Sequence, residues 1–155
     1  MKPKGLPMRI EAKCQIASPK SDVFNTFSNL NDLADSVQAI TKIELLTTGE
    51  IGVGTKFKES RVMFGKESDE VMEITHFSPH SHFREEAHSN GVHYISDWNF
   101  EESDNQTTVT VTFRAQAQIL VAKLMGLLLF LMASSMKKAF VTDMNDLKRI
   151  LEAKN

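Results

Sequence analysis

The sequence predicts an α+β domain in which a curved, seven-stranded antiparallel sheet wraps around a long C-terminal helix, with two short helices between the first and second strands. Three observations carry this. Successive segments alternate apolar and polar residues at the period of a half-buried strand. Gly65-Lys66 and Asn90-Gly91 stand between such segments at hairpin positions. Near the end of the chain, Met125, Leu129, Met132, Met136, Phe140, Met144, Leu147 and Leu151 recur at steps of three or four, the spacing of one helix face.

The first strand spans Arg9–Ala17, with Ile10, Ala12, Cys14 and Ile16 on its apolar side. Ser18 as N-cap and Pro19 at the first helical position open a helix whose apolar side is Val23, Phe24 and Phe27. A second short helix covers about Asn31–Ser36, and Thr41–Thr47 is the second strand. The glycines at 49, 52 and 54 mark a turn and not a phosphate loop, because Thr55-Lys56 leads into a strand.

Strands Thr55–Phe64 and Glu67–Phe77 flank Gly65-Lys66. That turn pairs Arg61 with Glu70 and Glu59 with Met72, so Phe57, Glu59, Arg61, Met63, Glu70, Met72 and Ile74 share the inner face. Strands His82–His88 and Val92–Phe100 flank Asn90-Gly91, which pairs Phe83 with Trp98, Glu85 with Ser96 and Ala87 with Tyr94. Phe100 lies on the same inner side. A four-residue polar loop, Ser103–Gln106, leads into Thr107–Gln116, where Val109, Val111, Phe113 and Ala115 face inward. On the closing helix, Lys137, Lys138, Asp143, Asp146, Lys148, Arg149 and Glu152 are assigned to the outer side. A helix from Ile119 to Leu151 would span about 50 Å, too long for a domain of this size. Gly126 therefore divides a short mobile segment, Ile119–Gly126, from a helix over Leu127–Leu151, and Leu124–Phe130 is expected to form a lid or mouth.

Composition bounds the function. The chain has 155 residues, 41% hydrophobic and 25% charged, which suits one domain over residues 8–155 after a loose tail, 1–7. A net charge of −2 leaves no basic excess for a nucleic-acid backbone. The lone Cys14 excludes an internal disulfide and a cysteine-based zinc site. Ile119–Ala133 is greasy but too short to cross a membrane; Leu124–Phe130 could touch one peripherally. A cytoplasmic location is expected. His80, His82, His88 and His93 fall on the outer face, and no HExxH or Ser-His-Asp pattern is present, so no metal, cofactor or catalytic set is assigned. The oligomeric state is not legible.

One helix cannot cover so wide a sheet, so a cavity of roughly 300–1,000 Å³ is expected between them. Its expected walls are Phe57, Met63, Met72, Phe83, Tyr94, Trp98, Phe100, Val111, Phe113, Met125, Leu129, Met132, Met136 and Phe140, with Glu59, Arg61 and Glu70 as polar members. The charged trio reads either as a structural ion pair or as an anchor in which Arg61 meets a carboxylate or enolate.

Ile16-Ala17-Ser18-Pro19 with Val23-Phe24, Gly52-Val53-Gly54-Thr55, Thr107-Thr108-Val109-Thr110 and a closing helix ending Leu147-Lys148 resemble the START-like, or SRPBCC, superfamily of helix-grip proteins. The nearest branch is the polyketide cyclase/dehydrase and lipid-transport group. The resemblance implies an internal apolar cavity and carries over no invariant catalytic residue. Three functions follow: binding or transport of a lipid, quinone or aromatic polyketide; a cyclase/dehydratase in which Tyr94, Glu59 or Arg61 moves protons or polarises a carbonyl; or an interaction or stress-response module with a filled core.

Overall fold

The computed structural model describes residues 8–118 and 130–154. The elements are β1 (Met8–Ile16), α1 (Lys20–Ser28), α2 (Leu33–Ser36), β2 (Ile40–Leu45), β3 (Lys56–Met63), β4 (Lys66–Ser78), β5 (His82–Ser89), β6 (Val92–Ser103), β7 (Gln106–Ala117) and α3 (Ala133–Glu152). They form the expected α+β helix-grip: one curved antiparallel sheet in the order β1-β7-β6-β5-β4-β3-β2, with α3 against its inner face. The tail at 1–7, the segment Ile119–Gly126, all of the expected lid but Phe130, and Met125 and Leu129 lie outside the described residues.

The β5–β6 register is as expected, with Phe83 opposite Trp98, Glu85 opposite Ser96 and Ala87 opposite Tyr94. The β3–β4 register is not. Met63 pairs with Lys66, so the turn is Phe64-Gly65 and not Gly65-Lys66. Arg61 then faces Ser68, and Glu59 faces Glu70. Both turn residues have positive φ, 53° and 74°, as do Asn90-Gly91 at 51° and 74°. This mirror-image turn matches the strand twist and needs glycine second, a pattern that overrides the glycine-first alternative. The slip is two residues, so every side chain keeps its face although its partner changes.

Two smaller expectations also shift. The loop Ser103–Gln106 shrinks to Asp104-Asn105, again with positive φ (52° and 62°), and both flanking strands extend to meet it. Pro19, not Ser18, holds the cap position, in extended backbone before Lys20.

The core is aromatic at one end. Phe24 of α1 meets Phe77, Phe83 and Phe100 edge-on at 5.2–5.8 Å, and Phe27 meets Trp98 and Phe100 in the same way. Such edge-to-face pairs add to burial. α3 is tied down at this end. Ala17 N donates to Glu152 Oε1 (3.0 Å), and Gln38 N donates to Asp146 Oδ2 (3.0 Å). Its backbone runs close to β1, α1 and α2 and stands off the middle strands. That placement leaves space over β3–β6.

Candidate functional site

The space is a cavity of about 290 Å³ between the inner sheet face and α3, just under the expected range. Because strand side chains alternate, β3 to β6 each send every second residue into it. Met63, Met72, Phe83, Tyr94, Trp98 and Phe113 form the sheet wall, and Met132, Met136 and Phe140 form the helix wall. Phe140 touches both Trp98 (6.0 Å) and Phe113 (5.4 Å), closing one side. Phe64 belongs to the wall yet is 53% exposed, which places an opening beside the β3–β4 turn.

A polar belt crosses this apolar surface. Arg61 Nε donates to Glu59 Oε1 (2.5 Å) and Arg61 Nη2 to Asp143 Oδ2 (2.8 Å), so the guanidinium joins sheet to helix. Burial works against its charge, but the two carboxylates outweigh burial and raise its pKa. Arg61 thus engages Glu59 and Asp143, not Glu70. Asp143, expected on the outer side of the helix, is instead buried, and so is Asp146. At about 100° per residue, Asp143 lies only about 20° from Met136 and 40° from Leu147, inside the apolar stripe. Arg61 is what allows a charge there.

The remaining carboxyls are less well served. Glu85 opens into the cavity and accepts one bond, from Trp98 Nε1 at 3.3 Å. Burial, reinforced by the Glu59 charge, pushes it up to about 7 against the opposing pull of Trp98 and Arg61. Burial raises Glu70 as well, with Glu59 adding to it and a hydrogen bond from Ser89 opposing it. Asp143 is also raised, since burial exceeds the help from Arg61. Its Oδ1 is buried with no partner among the described residues. Burial also raises the Tyr94 phenol.

Of the expected wall residues, Phe57, Phe100 and Val111 are not on the cavity. They are nearly or fully inaccessible and packed in the core beneath α1 and the lower half of α3. Facing inward is not sufficient, because α1 covers that half of the sheet. The same packing explains four further wall residues: Phe27 from α1, Leu33 from α2, Val37 just after α2 and Ile40 at the start of β2 close the cavity from the side. Their apolar spacing is visible in the sequence, but not where the short helices dock. Of Leu124–Phe130, only Phe130 is described, and it is 69% exposed. Among the described residues, no helix is long and apolar enough to cross a membrane, and no cluster of His, Cys, Asp and Glu could hold a metal.

A sheet that grips one long helix over a partly polar cavity defines the START-like class. Within it, the chain belongs to the polyketide cyclase/dehydrase and lipid transport family, whose model matches residues 7–152. Several solved structures share the fold. A protein from Thermus thermophilus superposes with a TM-score of 0.78 at 19% identity, covering 96% of this chain and 99% of that one. The Zhui aromatase/cyclase from a Streptomyces species gives 0.73 at 16%, covering 94% of each. A START superfamily protein from Mycobacterium smegmatis gives 0.74 at 9%, covering 95% and 99%. A comparison with curated proteins found no match.

Proposed function

We propose that this protein binds, and releases or carries, a hydrophobic or amphipathic small molecule in the cavity between β3–β6 and α3. The observation that supports this most is the cavity itself: about 290 Å³ of space walled by methionine and aromatic side chains and crossed by a polar belt. Apolar walls supply affinity, and a few fixed polar groups set orientation. Methionines at Met63, Met72, Met132 and Met136 let the walls adapt to more than one shape. The open space argues against a module with a filled core. Native mass spectrometry of the purified protein should show a co-purifying small molecule, and the neutral dye Nile red should bind. Ala139→Phe, which projects a ring from α3 into the space, should weaken dye binding by about tenfold with little loss of stability. Equal dye binding by the variant would place the dye elsewhere and sink this reading.

A second reading, cyclase or dehydratase chemistry, is favoured by Glu85. A carboxyl held near 7 inside an apolar cavity can accept and return a proton at neutral pH. Tyr94 on the same wall could donate to a developing enolate oxygen. On this reading Glu85→Gln abolishes turnover of a polyketide-like substrate while dye binding persists. Undiminished turnover in that variant excludes Glu85 as the base.

A further inference from the structure

Resting on the reading of the cavity as a ligand site, we propose that its ligand presents a hydrogen-bond-donating polar end, best a protonated amine on an apolar body, and that fatty carboxylates are disfavoured. The reasoning is a count of charge and of free acceptors. The charged residues on the wall are Glu59 and Arg61 from β3, Glu70 from β4, Glu85 from β5 and Asp143 from α3. Four are acidic and one is basic. The single guanidinium is already shared by two carboxylates, at 2.5 Å and 2.8 Å. A ligand carboxylate brought to Arg61 would be the third anion on one largely buried cation, where screening by water is weak.

Two carboxyls of the belt have acceptor oxygens to spare. Asp143 is only 8% exposed, and its Oδ1 has no partner among the described residues. Glu85 accepts a single long bond from an indole. A buried carboxylate oxygen without a donor is costly, so each is a place where a ligand N–H or O–H replaces what the protein does not supply. Burial is the main cause that raises Glu70, Glu85 and Asp143, and the neighbouring Glu59 charge adds to each. An ammonium group meets this need most fully. It donates three hydrogen bonds, cancels charge, and can lie over the rings of Trp98, Tyr94 or Phe113 on the same wall.

The probes are octylamine, octanol and octanoate, which share one chain and differ at the polar end, competed against Nile red at pH 8. Octylamine should displace the dye at a concentration about tenfold lower than octanoate, with octanol between them. Glu85→Gln should narrow the amine-to-acid ratio about threefold, and Ala139→Phe should weaken all three probes, which locates them in the cavity. If octanoate displaces the dye as well as octylamine or better, the donor-end inference falls while the cavity reading stands. If Nile red and all three probes fail to bind, both fall together. The wild-type ratio alone decides the inference should Glu85→Gln fail to fold.

Discussion

Glu85 and Glu86 are neighbours on β5, point to opposite faces of one sheet, and shift in opposite directions. On the inner face, burial lifts Glu85 to about 7. On the outer face, Glu86 falls below its ordinary value. A hydrogen bond from Thr75 is the main cause there, and His93, at 2.7 Å, and Arg84 add to it. Asp97, on the outer face of β6, repeats the contrast. Burial should raise it, yet Arg84 (2.7 Å) and His82 (2.8 Å) hold it low, and Arg114 (2.8 Å) completes its shell. The two faces share strands, twist and backbone. They differ in whether each acid has been given its donors. On the outer face each acid has its donors, although Arg114 Nε is buried without a partner among the described residues; the inner acids are short of donors, as a surface that waits for a ligand would be.

The outer face is the place for the largest effect. Asp97→Ala leaves three basic side chains facing one another with no anion between them. Its side chain is 12% exposed, while Arg84 and Arg114 are 28% and 33% exposed, so solvent takes up part of the cost. A loss of about 2–3 kcal/mol in urea unfolding at pH 7 is expected. The sign in acid follows from the direction of the shift. The folded-state pKa of Asp97 lies below its ordinary value of 3.8, so its stabilisation is present above that value and disappears as pH falls below it. Asp97→Asn should flatten the acid limb of the stability profile. A variant within about 0.5 kcal/mol of the parent would mean the outer network is ornamental and the contrast between faces is false.

Much of this is legible from residue order, and the misses have physical causes. Alternation alone assigns Glu59, Arg61, Glu70 and Glu85 to the inner face, and a two-residue slip at Phe64-Gly65 leaves that assignment intact because the strand period is two. What the slip changes is the partner of Arg61. Pairing along a strand depends on turn geometry, and the turn tolerates an exposed phenylalanine at φ 53° that propensity disfavours. Asp143 escapes for a different reason. Its position lies inside the helical stripe, but a charge on a helix ordinarily signals solvent. A buried acid is intelligible only once its partner, 82 residues away in β3, is known. The cavity's extent is illegible for a third reason: it depends on where α1 and α3 rest against the sheet, which displaces Phe57, Phe100 and Val111 into the core.

The smaller effect tests the inner face by its sign. Glu85 has an ordinary pKa of 4.5 and a folded-state value of about 7, so the native state binds its proton more tightly than the unfolded chain does. Its contribution is therefore fully present below about 4.5 and is lost as pH rises through 7, the reverse of Asp97. The whole swing is about 3 kcal/mol at 1.36 kcal/mol per unit. Glutamine cannot ionise, but its amide still sits in the same apolar wall beside Trp98, so only part of the swing is recovered. Glu85→Gln should be more stable than the parent by about 1–2 kcal/mol at pH 8 and indistinguishable from it at pH 5, as read by urea unfolding at both. Octylamine at saturating concentration should erase the pH 8 advantage, because the bound ammonium supplies to the parent the charge that the substitution removes the need for. If the variant is instead less stable at pH 8, the Glu85 carboxylate is already compensated, and inner and outer faces obey the same rule.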